Sequence, residues 1–543
     1  MASGIQRLEQ MDAGRRLWGR DGTLWSNDPG VRGAIEKRLG WLTSPMDMVG
    51  RLGEITDFAE SVRRDGVRDV VLLGMGGSSL AAETLARTFL PPPGAPALTV
   101  LDTTDPGAIR AAAARLKLRE TLFLVASKSG TTTETLALYR YFREQVERET
   151  STAGAHFAAI TDAGTPLERL ATEAGFRKTF LNAPDIGGRF SALSSFGLVP
   201  AALVGVDVAG LLDRARAMAA ACGPDVPVAE NPGLRLGAAL AGWAQAGRDK
   251  VTLLITPSTV DGHGRQGSGV GSLGVWLEQL LTESTGKQGR GLVAIVDEPP
   301  GPPAVYGADR LFVALGLGHD VALERAVAPL EAAGHPVVRL DLGDPLDIGA
   351  EFFRWEVATA AAGVLLDLNP FDEPNVAQAK DATQAALATY KERGRLPEWP
   401  VDGVDETARV LVQARPGDYI ALLAYVTPTP ETTEALQSLR VALRDRTRLA
   451  TTLGYGPRYL HSTGQLHKGG PPTPILLMLT AEAAGDVAIP GERYGFATLE
   501  LAQALGDLAT LRAARRRVLR VPLGGDPRGG IARLTTELTR RLG

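Results

Sequence analysis

The sequence predicts an α/β protein built from tandem doubly wound parallel-sheet domains, with a further α/β subdomain at its C-terminal end. Three observations carry this expectation. Short runs that are apolar throughout, such as VVLLG (70–74) and LFLVAS (122–127), read as strands buried on both faces of a sheet. Such runs alternate with helix-length segments, the pattern of parallel strands joined by crossover helices. Finally, a chain of 543 residues exceeds the ~250–300 residues at which a single core stops growing.

Taken in order, residues 1–66 read as a helical flank, with Gly14, Gly19, Gly22, Pro29 and Pro45 marking turns between helices. Residues 67–225 form the first expected domain, with strands at VVLLG, ALTVLD, LFLVAS and HFAAIT separated by helices. After the PDVPVAENP linker, a second domain over 226–401 contains VTLLITP, a helix around Leu273 to Thr285, GLVAIVD, LFVALGL and PVVRLDL. A third unit, 402–543, contains YIALLAYV, the helix TTEALQSLRVALRDRT, ILLMLTA and VLRVPL.

Bulk composition narrows the function classes. The chain is 44% hydrophobic and 22% charged with a net charge of −4, which gives no reason to expect a nucleic-acid or membrane partner. Cys222 is the only cysteine, so an intramolecular disulfide, a Cys-based metal site and a Cys-x-x-Cys redox pair are all excluded. The N-terminal segment lacks the apolar core of a signal peptide, and no run reaches the ~18 apolar residues of a membrane span. The expected location is the cytoplasm.

Two segments share one layout: VVLLGMGGSSLAAETLA (70–86) and LFLVASKSGTTTETLAL (122–138) each run from an apolar strand through a loop of small and hydroxyl residues into a helix. Gly76 and Gly77 let the backbone approach a ligand, Ser78 and Ser79 add hydroxyls, and the following helix points free N–H groups at the loop. The second loop holds Ser127, Ser129, Thr131, Thr132 and Thr133 within seven positions, enough donors to wrap a phosphate. Neither loop has P-loop or dinucleotide-binding spacing, so a sugar monophosphate fits better than ATP. Taken singly, each loop could also be a strand-to-helix turn whose Ser and Thr serve as caps.

Four more segments could carry chemistry. Arg189 follows a Gly pair at the start of an apolar helix; a permanently charged guanidinium there either stabilises a developing oxyanion or pairs with a structural carboxylate. Gln279 and Glu283 stand four apart on one face of a helix ending near Gly286, and Glu283 lies in its last turn. The negative end of the helix dipole tends to raise a carboxylate pKa there, toward the range of a general base; the other reading is a solvated carboxylate beside Lys287. Lys380 sits on the helix that follows NPFDEPN. His461 and His467 flank a Gly-rich loop, YLHSTGQLHKGG, without metal-ligand spacing.

GMGGSSL, SKSGTTTET, GGRFS, EQLLTESTGK and FDEPNVAQAK, in that order, resemble the motifs of glucose-6-phosphate isomerases. The likeness is strongest to the isomerase part of bacterial transaldolase/glucose-6-phosphate isomerase fusions, without a transaldolase portion ahead of it. The resemblance implies tandem sugar-isomerase (SIS) domains, no cofactor and no metal, a homodimer, and interconversion of glucose 6-phosphate and fructose 6-phosphate through a cis-enediolate in glycolysis and gluconeogenesis. It assigns the phosphate to Ser78, Ser127, Ser129 and Thr132, with Gly77 and the backbone of Lys128 close by. It makes Glu283 the base between carbons 1 and 2, Gln279 its neighbour, Arg189 the cation at the enediolate and Lys380 a ring-opening lysine. Glu373 falls where the family has a glutamine, and Glu351 stands in the place of a ring-opening histidine. The ring-opening acid is therefore Glu351, His461 or His467. Two other readings share these motifs: a non-catalytic sugar-phosphate sensor, and an isomerase of another hexose phosphate such as mannose 6-phosphate. Binding alone does not require Glu283, Arg189 and Lys380 together.

Overall fold

The computed structural model describes residues 2–257 and 269–543. The first sheet contains β1 (Asp69–Leu73), β2 (Ala97–Leu101), β3 (Thr121–Ala126), β4 (Phe157–Asp162) and β5 (Lys178–Asn182), all parallel, in the order β2-β1-β3-β4-β5. The second holds β6 (Lys250–Ile255), β7 (Val293–Ile295), β8 (Arg310–Leu317) and β9 (Val337–Leu342), in the order β7-β6-β8-β9. The third holds β10 (Tyr419–Tyr425), β11 (Ala450–Tyr455), β12 (Pro474–Ala481) and β13 (Arg517–Gly524), in the order β11-β10-β12-β13. The C-terminal unit thus repeats the strand order of the other two: the second strand lies to one side of the first, and the third and fourth lie to the other. A crevice opens where that direction reverses, at the carboxyl ends of the first and third strands. In the first sheet those ends carry the two loops rich in Gly, Ser and Thr, and the register Leu73↔Val125 sets them side by side.

The inner strands are buried on both faces, and side-chain alternation divides those of the first sheet between two cores. Val70 and Leu72 of β1 face a large central cluster that includes Leu8, Leu17 and Trp41 of the N-terminal helices and Leu253, Val313 and Trp355 around the second sheet. Val71 and Leu73 face the opposite way, against Phe123, Phe157 and the helix Phe496–Ala513. The helix Val376–Arg393 covers the same face through Ala386 and Leu387. In the third sheet, Tyr419, Ala421 and Leu423 pack with Val293 and Ile295 of β7. Both cores therefore join residues distant in sequence, and the N-terminal flank is built into the central one. Among the described residues, no helix is long and apolar enough to cross a membrane.

One buried ion pair couples the second and third units. Arg310 and Glu298 are 3.1 Å apart with side chains 0% and 1% exposed, and Glu298 also accepts from the backbone N–H (3.1 Å) and hydroxyl (2.6 Å) of Thr451 at the edge strand β11. Burial alone would raise the Glu298 carboxyl, but Arg310 and Arg440 outweigh it and hold the group below its ordinary value. Its contribution is therefore present above the unfolded carboxylate pKa and is lost as pH falls through the lower, folded one. Glu298→Ala leaves a buried guanidinium uncompensated and is expected to cost about 3–5 kcal/mol in chemical unfolding at neutral pH. A loss below about 1 kcal/mol, as for an exposed pair, would show that this contact does not couple the units.

Candidate active site

Two glycines make the site possible. Gly76, at φ +54°, uses the left-handed region, and a Cβ there would lie 2.6 Å from the His461 carbonyl oxygen and 2.8 Å from Gln279 Nε2. A Cβ on Gly77 would lie 2.1 Å from the carbonyl oxygen of Gly188. The loop after β1 therefore touches, backbone to backbone, the turn that carries Arg189. It also touches the helix Leu273–Thr285 and the third unit. Four segments of the chain converge on one Gly-Gly pair.

The hydroxyl loops lie beside this point. Ser127 Oγ and Thr132 Oγ1 are 2.9 Å apart, and Ser127 Oγ accepts from the Gly130 N–H at 3.1 Å. Ser129 Oγ is 2.9 Å from Thr131 Oγ1. Ser78 is half-buried at the end of the first loop, whereas Ser79 turns inward toward Gly76 and Asp102. Lys128 directs its ammonium away, to Asp162 and to the Pro184 carbonyl at 3.0 Å. Only its backbone is left to the loop.

Arg189, 4% exposed, is held on nearly every donor. Nε donates to Ser284 Oγ at 2.8 Å, and Nη2 donates to the carbonyls of Pro370 (2.7 Å) and Asp372 (2.9 Å). Nη1 donates to Glu373 Oε2 at 3.0 Å and lies 3.5 Å from Glu283 Oε1. The other Glu283 oxygen accepts from Gln279 Nε2 at 2.9 Å, as the four-residue spacing implies. Burial is the main force raising the Glu283 carboxyl above its ordinary range; Arg189 opposes it and Glu373 adds to it. The sequence points to the helix dipole as the cause of this rise, but the enclosure created by distant segments is the larger one. Burial would raise Glu373 too, but Arg189 outweighs it and holds that carboxyl low.

Lys380 is exposed and lines a cavity of about 140 Å³ together with Thr132, Glu134, His461 and Gln503. Glu351 is not brought to this group. The helix Ile348–Leu365 runs parallel to Leu273–Thr285, with Phe352 stacked edge-on to Trp276 and the Leu366 carbonyl accepting from Arg290. Glu351 is therefore level with the start of that helix, about two turns before Glu283. It pairs there with Arg354 at 3.1 Å, and burial pushes it up to about 7. His467 is enclosed against Tyr419, its Nδ1 3.1 Å from the phenol, and burial pushes it down to about 3. Two participants do not stand out in the sequence. Glu134 lies inside the SKSGTTTET motif, and Lys287 binds the Asn369 carbonyl (2.7 Å) and the Asp372 carboxylate (2.6 Å), fixing the loop that holds Arg189. Among the described residues, no cluster of three or more His, Cys, Asp or Glu side chains is arranged to hold a metal ion.

A tandem parallel α/β chain with a hydroxyl-rich crevice and an adjacent enclosed carboxylate and guanidinium has the architecture of sugar-phosphate-binding α/β proteins. The family model described as phosphoglucose isomerase matches residues 53–302. A glucose-6-phosphate isomerase of Symbiobacterium thermophilum is 31% identical over 64% of this chain and 86% of its own length. One from Rubrobacter xylanophilus is 29% identical over 71% and 95%. Among solved structures, a hypothetical protein from Thermus thermophilus superposes with a TM-score of 0.58 at 26% identity, covering 71% of this chain and 97% of that one. A glucose-6-phosphate isomerase from Chlamydia trachomatis shares the fold, with a TM-score of 0.52 at 19% identity over 70% and 78%. The chain belongs to the glucose-6-phosphate isomerase family.

Glu373→Gln removes a negative charge that raises the Glu283 pKa and frees Arg189 to lower it. The Glu283 titration midpoint is expected to fall, as read from side-chain carboxyl ¹³C shifts in glutamate-labelled protein. An unchanged or higher midpoint would show that Glu373 does not act on Glu283.

Proposed function

We propose that this protein interconverts glucose 6-phosphate and fructose 6-phosphate by proton transfer between carbons 1 and 2. The observation that carries the reading is the Glu283 carboxylate held between Gln279 and Arg189, next to a hydroxyl-rich crevice. The phosphate enters the loops at Gly77–Ser78 and Ser127–Thr132, accepting from hydroxyl and backbone donors and from the following helix N-terminus. This anchoring fixes the sugar carbons relative to Glu283, converting an intermolecular proton abstraction into an intramolecular one.

A carboxylate raised by burial is a stronger base than an exposed one, which suits abstraction of the proton alpha to the carbonyl. As that proton leaves, negative charge develops on the two oxygens of the enediolate. Arg189 has five N–H donors and commits four to Ser284, Glu373 and the two carbonyls. The fifth, on Nη1, faces Glu283 Oε1 at 3.5 Å and turns to the developing oxyanion as Glu283 takes up the proton. The guanidinium is immobilised before reaction, so little reorganisation is needed when charge appears. Return of the proton from Glu283 to the neighbouring carbon completes the exchange. Lys380 serves the opening of the ring. The reading also carries the expectation of a homodimer and of a place beside transaldolase in a fusion.

The test is a coupled assay of fructose 6-phosphate conversion in the presence of EDTA. Turnover is expected to persist there, and to fall by ~10²–10⁴ or more in Glu283→Gln, while sugar phosphate still raises the variant's melting temperature. Near-normal turnover in that variant would remove Glu283 as the base.

A further inference from the structure

A pocket of about 630 Å³ lies at the junction of the three α/β units. Its walls are β2 and the helix Leu80–Thr88 of the first unit, the helix Leu273–Thr285 of the second, and the carboxyl end of β11 with the helix Pro430–Thr447 of the third. Its volume is that of a site for a small organic ligand. None of the side chains assigned above to the phosphate or to proton transfer lines it.

Four carboxylates and three guanidiniums line this junction pocket, so its wall carries one negative charge in excess when all are ionised. Two of the carboxylates are committed: Glu83 pairs with Arg87 at 2.7 Å and with Arg458, and Asp102 pairs with Arg458 at 3.1 Å. The other two are free. Among the described residues, the Glu278 and Asp297 carboxylates have no hydrogen bond or ion pair, and only more distant charges act on them. Burial pushes Glu278 up to about 7, with Arg440 opposing the rise and Asp297 adding to it. Arg440 is the third uncommitted group. It is 1% exposed, and its Nε and Nη2 donate to the Thr451 carbonyl at 3.1 and 2.6 Å. Nη1 has no partner among the described residues, yet it is not a sealed interior atom, so it opens onto the pocket that Arg440 lines. A buried guanidinium edge that faces an enclosed space is a ready position for an oxyanion.

The complement of two free carboxylates and one free guanidinium edge, in a wall with one negative charge in excess, is a molecule with two cationic groups and one carboxylate. We propose that the junction pocket binds a basic amino acid, whose two cationic groups meet Glu278 and Asp297 and whose carboxylate meets Nη1 of Arg440. A neutral sugar would leave both carboxylates without a counter-charge, and a dicarboxylic acid would meet them with like charge. The site is also joined to the crevice. Glu278 stands five residues before Glu283 and about 140° around the same helix. Ser462, which lines the pocket, follows His461, whose carbonyl accepts from Gln279 Nε2 at 2.8 Å. A bound amino acid therefore rests against the far side of the helix that carries the Gln279–Glu283 pair.

The experiment is calorimetric titration of the whole protein with L-lysine and L-arginine at a pH above the Glu278 value of about 7. L-Norleucine, which lacks the side-chain ammonium of lysine, and cadaverine, which lacks its carboxylate, are the comparison ligands. At least one basic amino acid is expected to bind saturably, and lysine about 10-fold or more tighter than either comparison ligand. Glu278→Gln and Asp297→Asn keep the side-chain volume and are made separately, so that one remains if the other fails to fold. Each is expected to weaken binding by about 10-fold or more. Folded wild-type protein that bound neither amino acid up to about 10 mM would overturn the assignment. So would unchanged affinity in both variants, which would place the amino acid elsewhere, or equal affinity for lysine and cadaverine, which would remove the carboxylate from Arg440. Neither result bears on sugar-phosphate conversion in the crevice.

Discussion

A buried guanidinium is stable in a protein interior only if its donors are met, and Arg189 meets them by drawing three segments together. Its bonds to Ser284 on the Leu273–Thr285 helix and to the Pro370 and Asp372 carbonyls fix the spacing between that helix and the loop before Val376–Arg393. Lys287 adds a second buried cation on the same loop and is itself pushed down to about 8 by its burial. Loss of Arg189 would therefore disturb more than one charge. Helix, loop and the Gly187–Gly188 turn are mutually positioned by it, and the environment of Glu283 follows from that arrangement. The raised Glu283 carboxyl and the lowered Glu373 carboxyl lie beside one guanidinium; the first is the more enclosed, and the second accepts the direct hydrogen bond from Arg189.

The second constraint is steric. The backbone of Gly77 lies against Gly188, and that of Gly76 against His461 and Gln279, at distances where any side chain would collide. This close approach brings the Gly-Gly loop, the guanidinium, the carboxylate helix and the C-terminal unit to one point. In the proposed reaction, the first two units supply the anion crevice and the base. The third supplies His461 to the cavity and Phe496, Leu499 and Ala502 to the outer face of the first sheet. It is part of the core of the molecule.

Much of this is legible in the sequence for a physical reason. Strands buried on both faces of parallel sheets are apolar throughout, so their positions can be read, and the loops at their carboxyl ends stand out by composition. The Gln279–Glu283 pair is legible because helix periodicity is local. The shared strand order of the third unit is not, because its switch point carries no comparable Gly/Ser loop. There Thr427 instead accommodates Asp105 of the first unit, its hydroxyl 2.9 Å from that carboxylate. Nor does spacing along one helix reveal which level of a neighbouring helix it faces, so the position of Glu351 relative to Glu283 stays hidden. The His461–Glu134 contact spans 327 positions of sequence and depends on how two sheets pack. No local pattern reports such a contact.

The central claim is that hydrogen moves between carbons 1 and 2 as a proton on the Glu283 carboxylate, which exchanges with water. Its most direct test is interconversion of the two sugar phosphates in D₂O, carried through many forward and reverse turnovers, with deuterium at C2 of glucose 6-phosphate read by NMR. The account predicts deuterium uptake that grows in proportion to turnover and is absent with Glu283→Gln. Rapid interconversion with the carbon-bound hydrogen fully retained would contradict it, because the hydrogen would then have moved as hydride and never have reached the carboxylate.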